Sequence, residues 1–153
     1  SNKMQNLKIL NSKEKKEILN ILKKQFGFEG KLDYVFLKNE KGKLYCINSE
    51  FSSIDLSKLR INTLGLYFAR QVDNTIRLTI EGSQIIGKNA SKNIVEITKE
   101  EMLDWLKGND LTKEVSSKEF IILKHKTDFL GCGKCKEGKI FNYVPKGRRI
   151  NLN

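Results

Sequence analysis

Apolar residues fall in short blocks along the whole chain, and their spacing switches several times between a helical and an alternating period. Residues 12–26, SKEKKEILNILKKQF, place Ile18, Leu19, Leu22 and Phe26 on one helical stripe beneath a lysine-rich outer face, with Ser12 as the expected N-cap. A lysine run of this kind reads first as a solvated face. The segment DYVFLKNEKGKLYCIN then sets two apolar-rich runs around Asn39-Glu40-Lys41-Gly42, and Gly42 can take the positive φ of a hairpin loop. Cys46 sits in the second of these strands as a small packed hydrophobe. IDLSKL, residues 54–59, suits a short helical turn. NTLGLYFARQV and TIRLTI follow, separated by Asp73-Asn74, a pair that tolerates left-handed backbone and predicts a second hairpin with Arg70 and Arg77 flanking its turn. A short helix over EGSQII ends at Gly87.

Turn formers cluster at residues 88–93, so the expected domain boundary lies there: an N-terminal α/β part over 3–92 and a second part over 93–150. Ser1 and Asn2 read as a cloning remnant. NIVEI resumes as a strand, Thr98 to Glu101 fits a capping box, and Met102, Leu103, Trp105 and Leu106 carry a helix over 99–107 that stops at Gly108. The last third has short apolar runs punctuated by Gly131, Gly133, Gly138 and Gly147, which predicts several short strands closing into a small barrel packed on the first part. The expected fold class is α+β. Leu66, Phe68, Leu78, Trp105, Leu106, Phe120, Ile122, Phe141 and Val144 form the expected buried set.

Charge narrows the choice of partner. Lys and Arg number 29 against 18 Asp and Glu in 153 residues, a formal net charge of +11, which attracts polyanions. Residues 118–149 concentrate it, with Lys118, Lys124, Lys126, Lys134, Lys136, Lys139, Lys146, Arg148 and Arg149 against Glu119, Asp128 and Glu137. By the period of two, Lys124 shares a strand face with Lys126 and Lys134 with Lys136, giving rows of cations that can track phosphates. Surface lysines that serve solubility alone have the same composition. No apolar run approaches the roughly 20 residues of a membrane span and no secretory pattern opens the chain, so the expectation is a cytoplasmic protein without a membrane partner.

Catalytic chemistry finds little support. His125 is the single histidine and lies in an apolar run, the aspartates are scattered among turns and caps, and no phosphate-binding glycine loop occurs. Cys132-Gly133-Lys134-Cys135 has the C-x-x-C spacing of zinc and thiol-redox sites. Only Cys46 and His125 could complete a four-ligand set, and the glycines around the motif make structural thiols the leading reading.

The tail GCGKCKEGKIFNYVPKGRRI, preceded by a strand, a helix ending WLKGNDL and another strand, resembles the PUA domain. Similar modules accompany Sun-type ribosomal RNA methyltransferases and their stand-alone archaeal relatives. GLYFARQ and IRLTIEGSQIIG ahead of such a tail are also similar to the Nip-type factor of large-subunit ribosome biogenesis. The resemblance implies a PUA-like pseudo-barrel over 93–150, Lys107 and Gly108 at a helix-to-loop junction turned toward RNA, Gly131 and Gly133 in a close-packed strand, and Lys146, Arg148 and Arg149 as the basic ending. It brings no methyltransferase domain and no cofactor-binding loop. The expected function is therefore non-catalytic binding of structured ribosomal or transfer RNA, without a cofactor, in ribosome biogenesis or RNA modification. Lys107, Gly108, Lys124, Lys126, Lys134, Lys136, Lys139, Lys146, Arg148 and Arg149 would form the face, and an RNA methyltransferase or a ribosomal precursor would be the larger partner. Competing readings are a zinc or thiol-redox protein using Cys132 and Cys135, and a protein-interaction adaptor.

Overall fold

The computed structural model describes residues 6–51 and 65–151, so the helical turn expected at 54–59 and the first residues of the chain lie outside the described residues. The fold is mixed α and β, with two five-stranded sheets and three α-helices among the described residues. Strand β1 (Lys8–Ile9) leads into helix α1 (Ser12–Phe26). Asn11, not Ser12, caps this helix: its side chain accepts the Glu14 N–H at 2.8 Å, and the Glu14 carboxylate accepts the Asn11 N–H at 3.0 Å. The register explains the difference. A cap at Ser12 would put Lys15 at the third helical position, where no acceptor could return the bond.

Strands β2 (Tyr34–Lys38), β3 (Lys43–Asn48), β4 (Leu66–Val72) and β5 (Thr75–Leu78) continue from β1 as an antiparallel meander. Both expected hairpins form, with Gly42 at φ 86° and Asp73 at φ 54° supplying left-handed backbone in the turns. Ile18, Leu22 and Phe26 of α1 share a core with Phe36, Leu44, Phe68 and Ile76 of the sheet. The buried Gln25 side chain continues the hydrogen bonding of β5, donating to the Ile76 carbonyl at 2.7 Å and accepting the Ile76 N–H at 2.9 Å. An edge strand that would expose unpaired backbone is thereby occupied.

Helix α2 (Ile80–Ile86) follows at once, capped by Thr79. A Cβ at Gly82 would collide with the Phe68 carbonyl, so glycine lets this helix lie directly on β4. The connector beyond it is no loose linker: the Ser91 and Lys92 N–H groups both donate to the Phe26 carbonyl, at 2.8 and 3.1 Å, and Asn93 Nδ2 donates to the Gln25 carbonyl at 2.6 Å.

The second sheet has the order β6 (Ile94–Glu96), β8 (Phe120–His125), β9 (Asp128–Lys136), β10 (Lys139–Phe141), β7 (Leu111–Thr112). Only β6 and β8 run parallel; the other pairs are antiparallel. Helix α3 (Lys99–Leu106) bears the expected capping box and buries Trp105, whose Nε1 donates to the Leu130 carbonyl at 2.9 Å. Among the described residues the hydrogen-bonded ladder does not close between β6 and β7. Instead Trp105 joins Ile97 from beside β6 and Leu111 from β7 in one apolar cluster.

The two halves share a core: Phe120, Ile122, Phe129 and Cys132 pack with Leu22, Phe26, Phe68 and Ile86. Their closest contact is α2 on β9. Ser83, fully buried, donates through Oγ to the Ile80 carbonyl at 2.7 Å and accepts the Gly131 N–H at 2.8 Å. The Leu78 N–H donates to the Cys132 Sγ at 3.3 Å, and the Gly87 backbone lies against the Phe129 ring. Of the expected buried set, Leu66 and Phe141 are exposed and Leu106 is half-buried. Leu66 begins its strand, and Phe141 ends a three-residue strand that turns only Ile140 inward, so neither position is covered.

Replacing Ser83 with Ala leaves the buried Gly131 N–H without an acceptor and should cost about 2 kcal/mol. Urea denaturation followed by circular dichroism should show this as a lower midpoint with an unchanged slope.

Candidate nucleic-acid interface

The ten residues expected to bind RNA do not form one continuous row. Lys134, Lys136 and Lys139 come together: Lys136 and Lys139 are cross-strand partners, and all three line a groove with Lys113 and Lys118, beside Glu114 and Glu137. Lys124 pairs with Phe129 at the opposite end of β9, roughly 20 Å along the strand from Lys136 at about 3.3 Å per residue. Its ammonium lies 5.5 Å from the Phe129 ring centroid. Lys126 is not on a strand at all. It occupies the β8–β9 turn at φ 54°, so the two-residue period that would align it with Lys124 does not reach it.

The basic ending is held locally. Arg148 forms an ion pair with Glu81 in the first turn of α2. Arg149 donates through Nε to the Val144 carbonyl at 3.0 Å and packs against Gly108, whose φ of 96° ends the α3 region. Gly108 therefore does meet the tail, the Leu106 carbonyl accepts the Ile150 N–H at 2.9 Å, and Lys146 is exposed. Asn142 makes the junction rigid, donating through Nδ2 to the Trp105 and Asn109 carbonyls at 2.7 and 2.9 Å. The next residue, Tyr143, is exposed, and Val144 is buried again.

Tyr143 faces a second basic feature, to which the sequence pattern alone assigns no role. A cleft of about 390 Å³ lies between the halves, lined by Lys43, Tyr67, Arg70 and Arg77 on one side and Gly131, Tyr143 and Pro145 on the other. Lys43 is the cross-strand partner of Arg70, and Arg70 of Arg77, so three cations stand abreast on adjacent strands. A bulge makes the arrangement possible. Leu44 pairs with Ala69 but Tyr45 with Tyr67, so β4 carries one extra residue, and Tyr67 and Arg70 emerge on the same face despite their odd spacing. The Arg77 guanidinium sits 4.2 Å from the Tyr143 ring centroid and the Lys43 ammonium 5.3 Å from that of Tyr67. The symmetric positions of Arg70 and Arg77 about Asp73-Asn74 were the readable signal for part of this site; the bulge had none.

The C-x-x-C motif divides across β9. Residues three apart on a strand point to opposite faces, and Cys132 enters the shared core while Cys135 enters the cluster around Trp105. The two thiols cannot clasp one ion together, and among the described residues no three His, Cys, Asp or Glu groups gather for a metal. The zinc and redox readings of this motif are thus overturned by strand alternation. Burial pushes the Cys132 thiol up to about 12, against weaker opposing effects from the Leu78 N–H and the Arg77 charge. Burial alone pushes Cys46 up to about 12, and burial also raises Cys135 against the nearby Lys134 charge. His125 is engaged through Nδ1 with the Ile97 carbonyl at 2.9 Å.

Residues 92–150 match the family model described as the Methyltransferase RsmF PUA domain. These residues are similar to a PUA domain. The Ribosomal RNA small subunit methyltransferase F of Vibrio vulnificus (strain YJ016) is 25% identical over 91 residues, a match covering 60% of this chain and 19% of that protein. Its counterpart in Vibrio parahaemolyticus serotype O3:K6 is 24% identical over 97 residues, covering 60% of this chain and 20% of that protein. The matched part is thus about a fifth of the length of these curated relatives. The matched region comprises the second sheet with α3, and its glycine pair has distinct structural duties. Gly131, at φ 84°, occupies the bulge of β9, while a Cβ at Gly133 would strike Ile140 and the Trp105 ring. No helix among the described residues is long and apolar enough to cross a membrane.

In the folded protein at pH 8, a thiol reagent should leave Cys46 and Cys132 unmodified, and urea should release all three cysteines; rapid labelling of Cys132 without denaturant would contradict its burial. The thiols' raised folded pKa also fixes a pH trend. Their ordinary value is 9.0, so their contribution is fully present below pH 9 and is lost as the pH rises toward about 12, because the unfolded chain releases protons that the folded one retains.

Proposed function

We propose that this protein is a non-catalytic RNA-binding module that recognises structured ribosomal or transfer RNA by shape and phosphate contact, in ribosome assembly or in targeting RNA modification. The observation that carries the reading is the PUA-family match over 92–150, on relatives whose names state that they methylate ribosomal RNA. The charge supports it. A net +11 with lysines grouped at the β9–β10 hairpin provides the sequence-independent part of RNA affinity, through release of counterions from phosphates.

Lys134, Lys136 and Lys139 contact the phosphate backbone in this account, with Lys107, Gly108, Lys146 and Arg149 forming a neighbouring patch at the end of α3. Lys124 and Lys126, at the far end of β9, would touch only a longer RNA. Arg148 acts first as a tie between the tail and α2. A methyltransferase acting in trans or a ribosomal precursor would then be the setting in which the module works, and the cytoplasm its location.

Affinity for a ribosomal RNA hairpin, measured at several salt concentrations, should fall linearly on a log–log plot. Changing Lys134, Lys136 and Lys139 together to Ala should make the slope shallower by about 1 for each phosphate that the variant no longer neutralises. A flat slope for the unmodified protein would contradict a phosphate-dominated interface. Preferential binding of an acidic protein partner that RNA does not displace would favour the adaptor reading.

A further inference from the structure

We infer that the cleft between the two halves holds an unpaired nucleotide of the bound RNA, with its phosphate against Arg70 and Arg77 and its base against the tyrosines. The inference rests on the RNA-binding reading above and adds a site to it.

Three observations converge on the cleft. Lys43, Arg70 and Arg77 are aligned on adjacent strands, about 4.8 Å apart from strand to strand, and like charges set directly opposite each other disfavour the sheet that carries them. No described carboxylate lines the cleft, which leaves room beside Arg70 and Arg77 for a charge that relieves the repulsion between these two. An anion bridging Arg70 and Arg77 would do so, and a guanidinium suits phosphate by its forked donors.

The aromatic residues define the rest of the ligand. Tyr143 is 39% exposed although Val144 beside it is buried, and Asn142 anchors it from the other side. Tyr67 lies opposite, on the sheet face shared with the cations because of the β4 bulge. Rings and guanidinium groups together form the stacking surfaces that single-stranded nucleic acid uses. Size selects the state of the RNA. A cleft of about 390 Å³ is of the scale that takes a small ligand such as one nucleotide, and a duplex can only rest on its rim.

The test compares two labelled RNA hairpins of identical stem, one blunt and one with a single-stranded 3′ extension, by fluorescence anisotropy on the full chain. The unmodified protein should prefer the extended hairpin by about tenfold or more. Tyr143→Leu and Arg70→Gln should each abolish most of that preference, while Arg77→Lys, which keeps the charge, should retain part of it. An extension containing 4-thiouridine should crosslink to Tyr67 or Tyr143 in the unmodified protein, a readout that does not depend on any variant folding. A preference that survives both substitutions, or crosslinks only at Lys134 to Lys139, would overturn the cleft site while leaving RNA binding intact. Failure of the unmodified protein to bind either hairpin at low salt would instead remove the RNA-binding reading and this inference with it. Displacement of the extended hairpin by polyglutamate at equal charge concentration would overturn it in favour of an acidic polypeptide.

Discussion

The docking of α2 on β9 is the constraint from which the rest of the molecule follows. One buried hydrogen bond crosses it, Gly131 to Ser83, a second beside it joins Leu78 at the end of β5 to the Cys132 sulfur, and apolar side chains from both halves close around them. Each bond joins a backbone N–H of one half to a side chain of the other, so separating the halves strands buried donors as well as exposing apolar surface. The PUA-like region, about sixty residues, has a small core of its own; here α1, α2 and the meander complete it.

The same docking shapes the basic surface. It sets Tyr143 and Pro145 across from the cationic face of the meander, and the ion pair of Arg148 with Glu81 ties the tail to α2 near that cleft. Two bulges refine the result. The extra residue in β4 turns Tyr67 and Arg70 to one face, and Gly131 in β9 lets the strand bend against α2 while presenting its N–H to Ser83. Neither the cleft nor the contact between the halves exists in one half alone.

How much of this was legible in the sequence depends on how local each cause is. Both early hairpins were readable because their turns name themselves, Gly42 and Asp73 taking the left-handed backbone that their residue types allow. The α3 capping box was readable for the same reason. The α1 cap was misplaced by one residue because Asn11 and Ser12 are both good caps, and the choice depends on which one meets Glu14. The C-x-x-C motif misled through spacing alone: once those residues lie on a strand, a separation of three divides them between two cores. The expected lysine row failed at Lys126 because a turn breaks the two-residue period. The cleft was invisible except for the symmetric Arg70 and Arg77, since a bulge is decided by strand pairing across the sheet and the opposite wall comes from the other half of the chain.

Native-state hydrogen exchange at the Gly131 and Leu78 amides tests this picture most directly. If the halves form one cooperative unit around α2 and β9, both amides exchange only through global unfolding, with the same free energy and denaturant dependence as the core of β8. Exchange of these two amides through a low-energy opening that leaves both sheets protected would mean that the halves part readily, and the cleft between them would lose its basis.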